Sequence, residues 1–237
     1  MAGRRSRTEG VERVDLNRVS TGSSDLDRIL GGGLERRMIT QIYGEPGSGK
    51  STLALMVAIA TLKEGAGVVF FDTEGFSPDR FTQIAGGDES AADLATRLFL
   101  YEPIDFSQQG VMILDAEKIF LKKKIGLIIL DSATALYRCE MERRGDALKV
   151  LGRQMIDLLS LARKYEIPAL ITNQVYMDIT TNRFSGLGGT SLSHISKAII
   201  RIERRDAKRR AVVVKHRSRP EGEYFDFVIT GDGIQRC

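Results

Sequence analysis

Apolar positions along the chain fall into two alternating patterns. Short continuous apolar runs occupy residues 38–43, 68–72, 97–101, 127–131 and 169–173. Runs of this kind fit strands buried on both faces. Between them lie stretches with helical spacing. One covers 51–64 and stops at Gly65. Another starts at Ser77, with Pro78 in its first turn. Two more cover 107–124 and 147–165. Ser24 is placed to cap a short helix that Gly31, Gly32 and Gly33 would end. Strand and helix in strict alternation predict a parallel sheet covered by helices. The pattern changes near the end, where 198–204, 211–215 and 224–229 read as strands joined by short turns, an antiparallel extension. Residues 1–19 show no periodicity. The expectation is an α/β core over 20–237 with a short basic arm over 1–19, and neither repeat nor linker.

Composition removes several classes. Hydrophobic residues make 42% and charged residues 28%, which excludes wholesale disorder. No run nears the roughly 20 apolar residues of a spanning helix, and no apolar run follows the Arg-rich start, so neither a membrane protein nor a secreted one is expected. Two cysteines and two histidines supply neither a disulfide framework nor a metal centre of their own. A reducing cytoplasm is the expected compartment.

The net charge is +4, but it is unevenly spread. Between Arg201 and Arg219 nine cations, Arg209 and Arg210 among them, face only Glu203 and Asp206. That segment carries +7 and leaves −3 for the rest. Two readings fit: a site for an anionic partner, or a solvated hairpin whose charges keep a strand edge from pairing.

The sharpest chemical signal is Gly44-Glu45-Pro46-Gly47-Ser48-Gly49-Lys50-Ser51. It fits G-x-x-x-x-G-K-[ST] between a strand and a helix. Glycines let backbone N–H groups turn toward phosphate oxygens, and the following helix adds its positive end. Lys50 would reach the β- and γ-phosphates of ATP, Ser51 would bind Mg²⁺, and Thr52 would face the α-phosphate. Asp131, closing an apolar strand, is the candidate magnesium carboxylate. Glu74, just past another strand, could orient an attacking water; otherwise it caps a turn. Gln174, past a third, could sense the γ-phosphate or serve only as a structural amide.

Five segments stand together: GEPGSGKS, FFDTEGFSPDRF, LIILDSATALYR, ITNQV and KHRSRPEGEYFDFVITGDGI. In this order they resemble the RecA-fold recombinases, the archaeal RadA/RecA paralogues above all, over about residues 19–234. The resemblance implies a RecA-like P-loop NTPase core that uses ATP and Mg²⁺. It implies a water-orienting role for Glu74, and for Gln174 a role in coupling ATP state to DNA. Arg80 matches an arginine laid over adenine, although the segment from Glu74 to Arg80 is one residue short of the recombinase pattern and Ser77 replaces an arginine. Lys215 and Arg217 resemble a Lys-x-Arg pair that reaches a neighbour's phosphates; alternatively they belong to a basic DNA-facing strand.

Two loops should open beside the nucleotide. The first holds Arg138, Arg143 and Arg144. The second, over 176–192, holds Arg183 and Phe184 among glycines. Cations beside an aromatic suit single-stranded DNA. The helical DNA-binding domain of the strand-exchanging archaeal recombinase has no counterpart in so short an arm, and no Phe-x-x-Ala hook occurs there. The resemblance then implies an accessory repair and recombination protein. It would bind ATP and single-stranded or branched DNA, hydrolyse ATP very weakly, and self-associate weakly if at all. Its implied partners are the RadA recombinase and recombination proteins such as a Holliday-junction resolvase. The rivals are a DNA-stimulated motor-type recombinase or ring ATPase, and a clock-type signalling ATPase.

Overall fold

The apolar runs become the central strands of one sheet, and the helices between them divide over its two faces. The computed structural model describes residues 17–143, 145–178 and 183–237. The first half contains β1 (Arg18–Val19), α1 (Ser24–Leu30), β2 (Leu34–Glu35), β3 (Ile39–Gly44), α2 (Lys50–Lys63), β4 (Gly67–Asp72), α3 (Pro78–Ala85), α4 (Asp88–Ala95) and β5 (Leu98–Tyr101). The chain continues through α5 (Phe106–Asp115), α6 (Glu117–Phe120), β6 (Ile125–Asp131), α7 (Ala135–Met141), α8 (Ala147–Lys164) and β7 (Ala169–Asn173). It ends with β8 (Val175–Asp178), β9 (Arg183–Gly186), α9 (Gly189–Ile195), β10 (Ser196–Arg205), β11 (Lys208–His216), β12 (Tyr224–Thr230) and β13 (Gly233–Arg236).

The sheet order is β13-β12-β11-β10-β3-β7-β6-β4-β5. From β10 to β5 every neighbouring pair is parallel. The three strands β11 to β13 are joined antiparallel. This is the mainly parallel, helix-flanked architecture with an antiparallel carboxyl-terminal extension that the alternation predicts. Strand side chains alternate between the faces. In β4, Val68 and Phe70 therefore enter one core, with α2, α3 and α4, while Val69 and Phe71 enter the other, with α5 and α8. Parallel strands carry all their carboxyl ends to one edge. There β3, β7, β6 and β4 lie side by side, and the chain leaving β3 skips over two strands before it returns as β4. That crevice is where ligands bind in such sheets.

Several boundaries differ from the sequence pattern, for physical reasons. Ser23, not Ser24, is the α1 cap; its backbone is extended and its hydroxyl accepts from Leu26 N. The helix expected over 107–124 breaks at Ala116 and ends at Phe120. Lys122, Lys123 and Lys124 have no apolar side chain to bury, and they turn outward before β6. The first expected loop is helical as α7. The second contains the β8–β9 hairpin and α9. Arg18 and Val19 join the folded part, with Val19 pairing Leu34 and the Arg18 guanidinium donating to Leu30 O (2.6 Å) and Gly33 O (3.1 Å).

Gly33 makes that closure possible. Its φ of 119° lies where other residues are strained, and a Cβ would collide with the Val19 carbonyl. Gly33→Ala should lower stability by about 2 kcal/mol, within the usual cost of such strain. For a chain of this size that is a fall in Tm of roughly 4–8 °C. Thermal or urea unfolding of the two proteins checks it.

Candidate functional site

The phosphate loop joins β3 to α2, and its geometry depends on close approach. Gly47 and Gly49 have φ of 69° and 103°. A Cβ on Gly44 would strike Ile202 O and lie 2.9 Å from Ser48 Oγ. Lys50 begins α2 and is 7% exposed. Its ammonium folds onto the loop, donating to Gly44 O (3.0 Å) and Glu45 O (3.1 Å). Burial lowers the Lys50 pKa, while Glu74 and Asp131 nearby hold it up. Ser48 Oγ is buried without a hydrogen-bond partner. An orphaned hydroxyl, a lysine with no carboxylate bonded to it and a cradle without side chains fit a phosphate chain. The cleft above them measures about 280 Å³; Pro46, Thr52 and Glu74 line it, and Ile229 of β12 walls it.

Asp131 lies at the end of β6, between β4 and β7. It is 3% exposed. Its carboxylate accepts from the Thr172 hydroxyl of β7 and from the Ser51 hydroxyl of α2. Burial raises its pKa to about 6, against the two hydroxyls, which lower it. Among the described residues no group of three or more His, Cys, Asp or Glu could hold a metal by itself. One hydroxyl and one carboxylate are nevertheless what Mg²⁺ takes from a protein when phosphates and water complete its shell. Ser51 and Asp131 would hold it.

Glu74 is aimed by its own turn. Asp72 accepts from Glu74 N (3.4 Å) and Gly75 N (3.0 Å), and Thr73 ties β4 to β6 through Ser132 N (2.8 Å) and Ser132 O (3.0 Å). Gln174 Nε2 donates to Glu74 Oε1 at 2.9 Å. The two residues stand 100 positions apart, and the order β7-β6-β4 brings them together. Gln174 also accepts, through its carbonyl, from Leu187 N (2.9 Å), just past the β8–β9 hairpin. Sequence reasoning missed the residues behind it. The Thr134 hydroxyl donates to Asn173 Oδ1 (2.7 Å) and accepts from Gln174 N (3.1 Å), while Asn173 Nδ2 donates to Leu187 O (2.9 Å). The visible signal was three polar residues, Thr172, Asn173 and Gln174, closing an apolar strand.

The other candidates are placed as follows. Arg80 donates to Thr230 O (2.8 Å), Gly231 O (2.9 Å) and Gly233 O (3.3 Å), clamping the β12–β13 turn beside Thr52 and Ser77. Arg143 is exposed after α7; Arg144 lies outside the described residues. Arg183 and Phe184 sit in β9, opposite Asp178 and Met177 of β8. Arg209 donates to Ala207 O (3.2 Å) in the β10–β11 turn. Arg210 is committed to Asp226 (2.7 and 2.8 Å) and lies 3.9 Å over Tyr224. Lys215 donates to Ser193 O (2.5 Å) and Ser196 O (2.9 Å), and Arg217 pairs with Glu35. Register places Lys215 level with Gln41, in the middle of β3 and three residues short of Gly44. Within one chain, then, Lys215 and Arg217 do not converge on the phosphate loop.

Thr134 makes the Gln174 backbone testable. Thr134→Val would leave the Asn173 carbonyl and the Gln174 amide without their bonds in a dry site. The expected cost is about 1–3 kcal/mol. Hydrogen exchange should show the Gln174 and Leu187 amides losing protection ahead of the β3 and β6 amides.

Comparison with known proteins gives the family. The Rad51 family profile matches residues 12–237. A DNA repair and recombination protein RadB from Methanoculleus marisnigri is 62% identical over 224 residues, which cover 94% of this chain and 99% of that one. The protein of the same name from Archaeoglobus fulgidus is 42% identical, covering 92% and 97%. A crystal structure titled as the RadB recombinase superposes with a TM-score of 0.79 at 38% identity, over 92% of this chain and 99% of the other. The chain therefore belongs to the Rad51 family of RecA-fold proteins, among the archaeal RadB proteins of DNA repair and recombination.

Proposed function

We propose that the chain is an accessory recombination protein that binds ATP with Mg²⁺ and DNA, and hydrolyses ATP only weakly. The observation that carries this is the bond from Gln174 to Glu74. It joins the carboxylate of the nucleotide cleft to the strand end from which the β8–β9 hairpin departs.

Each residue has a task in that reading. Backbone N–H groups of the loop and Lys50 would hold the phosphates. Mg²⁺, held by Ser51 and Asp131, would supply charge neutralisation at the phosphate oxygens. Glu74 would orient a water, and while it accepts from Gln174 it is not free to do so fully. A γ-phosphate competing for the Gln174 amide would release Glu74 and shift the hairpin through Leu187. Nucleotide state would thus bias DNA contact, and by linkage DNA would bias nucleotide affinity equally. Arg143, Arg183 and Phe184 are the proposed DNA contacts. Arg209 remains one. Arg210 would have to give up Asp226 to join them, so its share is small.

A motor is less well supported, because Lys215 and Arg217 are already bonded within their own chain. The proposed partners are the RadA recombinase and a Holliday-junction resolvase. No helix among the described residues is long and apolar enough to cross a membrane.

The test is ATP turnover and DNA affinity of the purified full chain, with Lys50→Ala as the blank. Turnover should be slow and insensitive to single-stranded DNA. ATP should change DNA affinity about fivefold or more, a typical coupling. Gln174→Ala should keep ATP binding and abolish that change. Brisk turnover that DNA stimulates would put the motor reading first.

A further inference from the structure

The opposite edge of the sheet carries a feature that the nucleotide site does not use. Every parallel strand begins there, so the residues just before β3, β7, β6 and β4 form one row. Arg36 precedes β3, Arg163 precedes β7, Lys122, Lys123 and Lys124 precede β6, and Lys63 precedes β4. Backbone bonds hold the row together: Arg37 N donates to Ile167 O (2.8 Å) and Gly67 N to Lys124 O (2.8 Å). All six cations except Arg36 are exposed, and Arg36 donates only to a carbonyl, Glu166 O. None of the six has a carboxylate partner among the described residues, whereas Arg37, Arg97 and Lys164 nearby are neutralised by Glu166, Asp93 and Glu117. Among the described residues, Glu64 beside Lys63 is the one acid next to the six in sequence that has no ion pair of its own, which leaves +5.

Helix dipoles explain part of this. α2, α4, α6 and α8 end at this edge, each with roughly half a negative charge at its carboxyl end. Cations there complement the dipoles. Four such ends offset about two charges, so about +3 remains. That surplus is an electrostatic footprint for a polyanion.

We infer that this edge is a second DNA-binding surface, one that takes the backbone of duplex DNA. Four neighbouring strands at about 4.8 Å spacing make a row roughly 14 Å long. A major groove is about 12 Å wide, so the row meets phosphates on both of its walls. Among the described residues the aromatic rings at this edge, Phe120 and Tyr165, stack on each other at 4.6 Å and so make no open platform for unpaired bases. Backbone contact without stacking favours duplex over single strand. β3 spans six residues, which puts the row about 20 Å from the phosphate loop. The surface therefore acts independently of nucleotide, and a protein holding duplex here presents its hairpin to a different DNA segment.

The probe is a fluorescein-labelled 30-base-pair duplex of mixed sequence, read by anisotropy without nucleotide across a salt series. The Lys122→Gln, Lys123→Gln, Lys124→Gln triple variant should bind about tenfold more weakly or worse. The slope of log affinity against log salt should fall by about 2.7, three phosphate contacts' worth. These lysines are exposed, and an unchanged Tm and ATP affinity confirm the fold. Lys50→Ala should leave duplex binding intact, so loss of the nucleotide switch and loss of this surface are told apart. Unchanged affinity and slope in the triple variant would overturn the inference. So would equal loss of single-strand binding, or tighter binding to vesicles with one-quarter phosphatidylserine than to duplex, which would assign the row to a membrane surface.

Discussion

The site turns on one buried carboxylate. Asp131 sits where β6 ends, and its carboxylate accepts from the Thr172 hydroxyl of β7 and the Ser51 hydroxyl of α2. A carboxylate so deeply buried is unfavourable as an anion, and the rise of its pKa to about 6 measures that. Two hydroxyls reduce the penalty without cancelling it. The remainder is what a cation would relieve. The same bonds fix two strand ends and the start of the phosphate helix relative to one another. Thr73 adds β4 through Ser132. Lys50, Glu74 and Gln174 are each one or two residues from a group locked in this way, so their relative positions follow from it.

That arrangement explains what could be seen in the sequence and what could not. Lys50 and Ser51 were legible because a phosphate cradle needs glycines and a lysine at fixed local spacing. Asp131 was legible because a carboxylate closing an apolar strand, common by itself in parallel sheets, becomes a specific signal in a chain that also carries a phosphate loop. The Gln174–Glu74 bond was not, because it depends on which strands become neighbours, and alternation says only that the strands are parallel. Helix α7 was hidden for a related reason. Its cap position holds Thr134, but that hydroxyl serves Asn173 and Gln174 instead of the helix. A cap signal in sequence assumes a free side chain, and here tertiary structure had taken it. Lys122, Lys123 and Lys124 were read as the end of a helix because lysine is a good helix former. Without an apolar stripe to bury, propensity did not suffice.

The antiparallel extension shows the same division. Its inner face, with Ala211, Val213, Phe225 and Phe227, packs into the core around α2, and this alternation was readable. Its cations looked uniformly available. Structure separates them. Arg210 is held by Asp226 and stacked on Tyr224, and both oxygens of Glu203 are taken, by Arg201 and Arg205. A count of +7 therefore overstates the charge that the segment can present to an anion. Charge in sequence is a sum, whereas the field at a surface depends on which charges already have partners.

The two edges of the sheet differ in how their charges are paired, for reasons rooted in strand direction. Asp72, Glu74 and Asp131 gather at the carboxyl edge around Lys50. Helices running back from that edge end at the other, and their carboxyl ends favour lysine and arginine there. A parallel α/β sheet thus separates charge along its strands even when the net charge is small. In most such proteins the basic edge merely balances the helix ends. Here the lysines before β6 follow a helix of four residues, too short to call for three of them. It is this mismatch between the dipole to be balanced and the charge supplied that makes the amino edge a surface for a polyanion rather than a set of helix caps.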